Sequence, residues 1–223
     1  MATARTRPLR VVVNAGPTRE HIDDVRYLSN ASTGLMGQEL AREAKRRGAE
    51  VTLVLGPSEL EPRPGVPTID VVSTRDLLRA MRAAVKGADF VIFAAAPTDW
   101  RPAVRHRGKL KKDGTGHPIT LKLLENPDVA ATLGRTKGKR FHLGFALEIA
   151  NPFEHARAKM ARKRLDAIVL NGPKNVGPGG GAAWLLSPDG DRIALSTGDK
   201  RKMAHEILDA VWDKVLARRD GRP

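Results

Sequence analysis

The sequence predicts an α/β protein built on a doubly wound, mostly parallel, Rossmann-like sheet with a late β-hairpin insertion. Three observations predict it. Short apolar runs alternate with amphipathic helical segments along most of the chain. The first run ends in a glycine- and hydroxyl-rich loop that opens a helix, Asn14–Gly37. Free N–H groups and the helix dipole both favour an anion at such a place. A later run ends in AAAPTDW, Ala94–Trp100. Small residues there leave room for a ligand beyond the carboxyl ends of the strands.

Each element follows from local pattern. Leu9–Val13 is apolar and stops at a loop, so it is a buried first strand. Met36, Leu40, Ala41 and Ala44 recur at helical spacing, and Gly48 ends that helix. Val51–Leu55 is a second strand closed by Gly56-Pro57, and Pro57–Pro67 is a proline-rich surface loop. Ile69–Val72 is a short third strand. Ser73 or Thr74 caps a helix with Leu77, Leu78, Met81, Ala84 and Val85 on one face and Gly87 as its stop. Phe90–Ala96 is a buried strand. Pro97–Pro118 is polar, basic and aperiodic, and reads as a mobile loop.

Ile119–Leu123 then resumes as a strand, and Asn126-Pro127 opens a short helix with Pro127 at its first position. Phe141–Ala146 is the next buried strand, followed by helix Pro152–Arg164 and strand Ala167–Leu170. Gly177–Gly181 is a flexible glycine run. Trp184–Leu186 and Ile193–Leu195, joined through Pro188-Asp189-Gly190, form a hairpin. Met203, Ile207, Leu208, Val211 and Val215 mark the last helix. The order is β-α-β-β-α-β-β-α-β-α-β, with no internal repeat. One domain spanning 1–223 is expected, with Pro97–Pro118 and the late hairpin as insertions.

Composition narrows the function. A hydrophobic content of 41% supports a real core. No apolar run reaches the roughly 18 residues of a membrane span. The basic N-terminus MATARTRPLR has no apolar segment and is no secretory signal. The absence of cysteine excludes disulfides, thiolate metal sites and cysteine nucleophiles. A cytoplasmic protein is expected. The net charge of +14 points to an anionic partner. Much of it lies on helix faces, at Arg42, Lys45, Arg46, Arg47, Lys200, Arg201 and Lys202, and reads as a solvated basic surface. Aromatic residues are few and do not interleave with the basic ones, so nucleic acid is an unlikely partner. The six histidines show no metal-ligand spacing, and no G-x-S-x-G elbow occurs.

The loop NAGPTREHIDDVRYLSNASTGLMG matches neither G-x-G-x-x-G nor the Walker pattern. On its residues alone it is an anion site at a helix start, or a tight-turn glycine pair with an incidental arginine. Its motifs AGPTRE and D-x-VRY-x-SN-x-S-[ST]-G-x-MG resemble the phosphopantothenate–cysteine ligases of coenzyme A biosynthesis. Weaker matches follow in family order: AAAPTDW to AAV-[AS]-D-[YF], KLKK at Lys109 to KIKK, LENPD at Leu124 to K-NPDI, and GFALE at Gly144 to GFAAET. Leu35 stands where many members carry lysine. Pro97 and Trp100 differ from the commoner residues, and Leu170-Asn171-Gly172-Pro173 replaces ANDV.

The resemblance implies site residues. Asn30 is tied to the activated acyl intermediate, and Arg26 is also functional. Ser32, Thr33 and Gly34 face the triphosphate, and Gly16 is a further nucleotide-binding position. Ala94 and Ala95 let a flat base lie against backbone, and Asp99 accepts from a ribose hydroxyl or the base. Lys109 reaches a phosphate and supports acyl transfer. Leu124, Asn126 and Pro127 form a turn that cradles base or sugar, Phe145 packs on the nucleotide, and Lys159 and Lys163 reach its phosphates. Taken without the resemblance, Asp99 is equally a strand-exit cap, Lys109–Lys112 a solvated loop cluster, and Lys159 with Lys163 an exposed stripe.

The implied reaction joins 4′-phosphopantothenate to L-cysteine through a nucleotidylate made from CTP, with Mg²⁺ or Mn²⁺ bridging phosphates. A homodimer and a separate phosphopantothenoylcysteine decarboxylase are the implied partners. Two other readings stay open: a Rossmann-type dinucleotide- or flavin-binding oxidoreductase, and a non-catalytic nucleotide- or nucleic-acid-binding homologue.

Overall fold

A computed structural model describes residues 7–61, 65–112, 114, 116, 118–172 and 181–222. The glycine run up to residue 180 lies outside the described residues. In chain order the elements are β1 (Arg10–Ala15), β2 (Arg19–His21), β3 (Tyr27–Ser29), α1 (Leu35–Arg46), β4 (Glu50–Leu55), β5 (Thr68–Asp70), α2 (Thr74–Ala84) and β6 (Phe90–Phe93). They continue with β7 (Trp100–Pro102), β8 (Leu123–Glu125), α3 (Val129–Gly134), β9 (Phe141–Leu147), α4 (Pro152–Lys163), β10 (Ala167–Asn171), β11 (Ala183–Leu186), β12 (Arg192–Leu195) and α5 (Lys200–Asp220).

The main sheet has the order β12-β11-β10-β9-β6-β1-β4-β5. The six strands from β5 to β10 are parallel, and β11 and β12 add antiparallel. From β1 the chain builds outward through β4 and β5, then crosses back and builds through β6, β9 and β10. The strand order therefore reverses between β1 and β6, which is where open α/β sheets bind ligands.

Strand alternation divides the core between the two faces. Val11, Val13 and Ala15 pack with Leu40, Ala41 and Ala44 of α1 and Ile207, Leu208 and Val211 of α5. Val12 points the other way, into a second core with Leu77 and Met81 of α2 and Ala156 and Met160 of α4. The period of two puts Asn14 on that second face. Gly37 lets α1 approach β1 closely, since a Cβ there would lie 2.5 Å from the Ala15 Cβ. Ser73 caps α2 in a capping box with Asp76. Part of the basic surface of α1 is internally neutralised. Arg46 and Arg47 both bind Glu43, at 2.7 and 2.9 Å. The Arg46 hydrogen bond, against burial, holds the Glu43 carboxyl down to about 2.

Local pattern misplaced several boundaries. The strand expected at Ile119–Leu123 lies at Leu123–Glu125. Its register is set by antiparallel pairing with Trp100–Pro102, a strand inside the segment read as aperiodic loop. Ile119 finds no core to bury in and stays 66% exposed. Helix α3 starts at Val129 rather than Pro127, because the Asp128 carboxylate accepts from Ala131 N at 2.9 Å and caps it. Strand β6 ends at Phe93, and Ala94–Ala96 continues as an extended segment tied by Ala94 N to Asn14 O and Ala96 N to Gly16 O. The Asn14–Gly37 connection contains the β2–β3 hairpin. The late hairpin extends the main sheet through β10–β11 pairing.

Candidate functional site at the sheet switch point

A cavity of about 450 Å³ opens where the strand order reverses. Its floor is the end of β1. Asn14 is buried, and its Oδ1 accepts the Ala95 N–H at 2.8 Å. That donor fixes the amide orientation and turns Nδ2 away from Ala95. Nδ2 has no hydrogen-bond partner among the described residues, and Asn14 lines the cavity. Opposite lie Phe145 and Gly144 of β9. A Cβ on Gly144 would lie 2.4 Å from Leu165 Cδ1, so glycine keeps this wall thin.

Behind the floor, three hydroxyls form a buried cluster. Thr18 Oγ1 lies 2.9 Å from Thr74 Oγ1 and accepts from Thr98 N at 2.9 Å. The buried Glu20 carboxylate accepts from Thr74 N at 2.9 Å and from Asn126 Nδ2 at 3.0 Å. A negative charge at the N-terminus of α2 is favoured by the helix dipole. The same Asn126 amide donates to Thr98 O at 3.0 Å, while Asn126 N donates to Asp99 O at 2.7 Å. These bonds carry Asn126-Pro127 across to Asp99 and form one wall of the cavity.

Charge gathers at the next wall. Lys163 Nζ lies 3.0 Å from Asp128 Oδ2. Burial pushes the Asp128 carboxyl up, but the Ala131 N–H and the Lys163 ammonium outweigh it and leave the group below the ordinary carboxylate range. An incoming phosphate would compete with Asp128 for Lys163. Lys159, one turn earlier, is bound to Glu148 at 2.6 Å.

At the mouth, Asn30 Nδ2 donates to Ala96 O at 3.2 Å and Pro97 O at 3.0 Å. The amide nitrogen is thereby engaged, and Oδ1 has no hydrogen-bond partner among the described residues. Gly34, at φ 79° ahead of α1, and Gly16, also at φ 79°, allow the loop and helix start to pass over the end of β1. A Cβ on Gly34 would lie 3.0 Å from the Gly16 backbone. Ser32 and Thr33 accept from Gly34 N and Leu35 N at 3.4 and 3.3 Å, shaping that start.

The expected site residues are thus partly brought together. Ala95, Asp99, Asn126, Pro127, Phe145 and Lys163 line one cavity. Ala94 and Lys159 do not line it; Asn30 is bonded to the carbonyl of the lining residue Pro97, Gly16 follows β1, and Ser32, Thr33 and Gly34 precede α1. Leu124 is 39% exposed on β8 and does not line the cavity. Lys109 is exposed, and Arg26 is engaged with Asp23 and Leu110. Sequence reasoning passed over Asn14, Thr74, Thr98 and Glu20. For Asn14 the signal was present: it is the polar residue continuing the Val12 side of a buried strand.

The match to the DNA/pantothenate metabolism flavoprotein C-terminal domain covers residues 6–215. The chain is 39% identical over 209 residues to the coenzyme A biosynthesis bifunctional protein CoaBC of Escherichia coli, covering 91% of this chain and 51% of that protein. It is also 39% identical over 219 residues to CoaBC of Mycobacterium tuberculosis, with the same two shares. The chain therefore spans about half the length of the curated relatives it matches. Among solved structures, the C-terminal domain of CoaBC superposes with a TM-score of 0.80 at 34% identity, covering 93% of this chain and 96% of that one. The Streptococcus pneumoniae DNA/pantothenate metabolism flavoprotein superposes at 0.77 with 21% identity over 94% of this chain and 99% of that one, a likeness of fold. Family match, sequence identity and the switch-point cavity agree: this chain belongs to the DNA/pantothenate metabolism flavoprotein C-terminal domain family.

Proposed function

We propose that this chain is a phosphopantothenate–cysteine ligase of coenzyme A biosynthesis, with CTP as its nucleotide. The observation that carries the reading is the switch-point cavity with the Asn30 amide tied to its mouth. The 4′-phosphopantothenate carboxylate attacks the α-phosphorus, and the bond to pyrophosphate breaks. The L-cysteine amine then attacks the acyl carbon. The nucleoside monophosphate leaves with the bonding electrons, and the amine loses its proton. The substrate carboxylate is the first nucleophile, so a chain without cysteine lacks nothing the chemistry needs.

The residues divide the work. Two polyanions must meet, and Lys163 at the cavity wall with the exposed Lys109 would offset their repulsion. Ala95 backbone and Phe145 hold the base between flat walls, and Asp99 takes a hydroxyl or amino hydrogen. Asn30 Oδ1, without a hydrogen-bond partner among the described residues, would accept from an incoming amine. Among the described residues no group of three or more histidine or acidic side chains could hold a metal. Asp99 nonetheless lines the cavity and is the carboxylate that would help hold a Mg²⁺ or Mn²⁺ ion there. When bound, that ion would supply charge neutralisation on the triphosphate.

We also propose a homodimer working in the cytoplasm, with a separate or fused decarboxylase as its metabolic partner. The β7–β8 ribbon supports self-association, since Trp100, Leu123 and Leu124 stand exposed on it. No helix among the described residues is long and apolar enough to cross a membrane. The test is pyrophosphate release with 4′-phosphopantothenate, Mg²⁺ and either CTP or ATP, with and without L-cysteine. Phosphopantothenoylcysteine formed only with cysteine, and faster with CTP, is the expected result. No release with either nucleotide from folded protein would overturn the reading.

A further inference from the structure

The segment carrying Lys109 is fastened on both sides of that lysine. Asp23 is fully buried in the β2–β3 turn. Its Oδ1 accepts from Val25 N at 2.8 Å and Arg26 N at 2.7 Å, which closes the turn. Its Oδ2 accepts from Arg26 Nε at 2.9 Å and from Leu110 N at 3.0 Å. The Arg26 guanidinium bridges onward to Leu110 O at 2.6 Å. The neighbouring Asp24 takes the other side: its carboxylate accepts from Gly108 N at 2.6 Å and Arg105 at 2.9 Å, and its N–H donates to Gly108 O at 3.2 Å. His106 N donates to Ile22 O at 2.9 Å in the same docking. Lys109 is the residue between the two anchored positions, and its side chain stands in solvent.

We propose that Asp23 and Asp24 are positioning residues that hold the Lys109 backbone before any nucleotide arrives, and that Arg26 acts through this clamp. This rests on the ligase reading for what Lys109 does, but the clamp itself does not. The geometry favours it over a direct phosphate contact for Arg26. Three of the guanidinium's bonds are already committed, to a buried carboxylate and a backbone carbonyl, in a planar fork that lysine cannot reproduce. A lysine whose backbone is fixed loses less freedom on closing over a phosphate, so misplacing it would show in turnover more than in folding.

The experiment compares Asp23→Asn, Asp24→Ala and Arg26→Lys, each with Lys109 intact and with Lys109→Gln. Amide exchange at Gly108 and Leu110 is read by mass spectrometry. Kinetic constants are read from pyrophosphate release, and folding from the melting temperature. Exchange at Gly108 and Leu110 is expected to rise about tenfold or more in the aspartate variants. The kcat is expected to fall on the order of 10- to 100-fold with a smaller change in nucleotide KM. In the Lys109→Gln background the same substitutions should lower kcat by less than about twofold, because they act through the same side chain. Unchanged protection, or losses that simply add to that of Lys109→Gln, would overturn the proposal. Should Asp23→Asn fail to fold, Asp24→Ala decides it, since Asp24 is exposed and closes no turn. If the wild-type protein releases no pyrophosphate, the ligase reading falls, and the exchange measurement alone upholds or overturns the clamp.

Discussion

Asn14 Oδ1 accepts the Ala95 N–H at 2.8 Å across the point where the strand order reverses. The bond ties the end of β1 to the segment leaving β6 and aims the amide nitrogen away from it. Asn14→Ala would leave the half-buried Ala95 N–H without its acceptor, at a cost of about 1 kcal/mol. For a chain of this size that lowers the melting temperature by several degrees, roughly 2–4 °C per kcal/mol. Nucleotide affinity should fall alongside it. Calorimetric titration with CTP and a thermal melt check both; unchanged affinity would remove Asn14 from the site.

Asn30→Asp would replace a donor by a carboxylate oxygen facing the carbonyls of Ala96 and Pro97. Repulsion there should displace the mouth without closing the nucleotide cavity. Pyrophosphate should still form while phosphopantothenoylcysteine does not. Quenched-flow product analysis separates the two half-reactions, and equal loss of both would sink this role.

His142 lies fully buried against Phe93, at 5.2 Å between ring centroids, with neither ring nitrogen partnered among the described residues. Burial, reinforced by the Lys137 and Arg140 cations, pushes its pKa down from 6.5 to about 3. Between those values the unfolded chain binds the extra proton and the folded chain does not. The histidine's contribution is therefore complete above pH 6.5 and is lost as the pH falls toward 3. The slope it adds is about 1.4 kcal/mol per pH unit. His142→Phe should flatten the acid limb of stability and raise it at pH 5. Guanidinium melts at pH 5 and pH 7 test this, and an unaltered pH dependence would contradict it.

Gly37→Ala would press a methyl against Ala15 at 2.5 Å, between a helix and the central strand of the sheet. Neither backbone can yield without moving α1 away from β1. A loss of about 1–3 kcal/mol is expected from the overpacking. Thermal melts read the stability and titration reads the affinity. Gly48→Ala is the control, because none of the described residues lies within 4 Å there and its cost comes from its φ of +84°.

Much of the site was legible because its parts are local. Gly16 and Gly34 sit where left-handed turns are needed, and Ala94–Ala96 leave a strand that periodicity could locate. Asn126-Pro127-Asp128 announces a helix start, although which residue caps it depended on the Asp128 carboxylate reaching Ala131 N. The β7–β8 ribbon was not legible. Its residues bury too little to leave an alternating pattern, and Trp100 and Leu124 were read as parts of motifs instead. Pro97–Pro118 read as a free loop because its anchors are carboxylates elsewhere in the chain.

The sequence by itself determined the α/β class, the identity of the buried strands, the glycine turns at the first loop and the family. Each of these depends on neighbours a few residues apart, through side-chain alternation, helical spacing and backbone φ. Tertiary structure decided the rest. It brought Asn14 to Ala95, 81 residues away, and Asp23 to Leu110, 87 residues away. It turned the late hairpin into the edge of the main sheet and moved β8 toward Glu125. Such pairings are chosen by which polar groups would otherwise be buried unpaired, a condition that exists only once the sheet has closed around them.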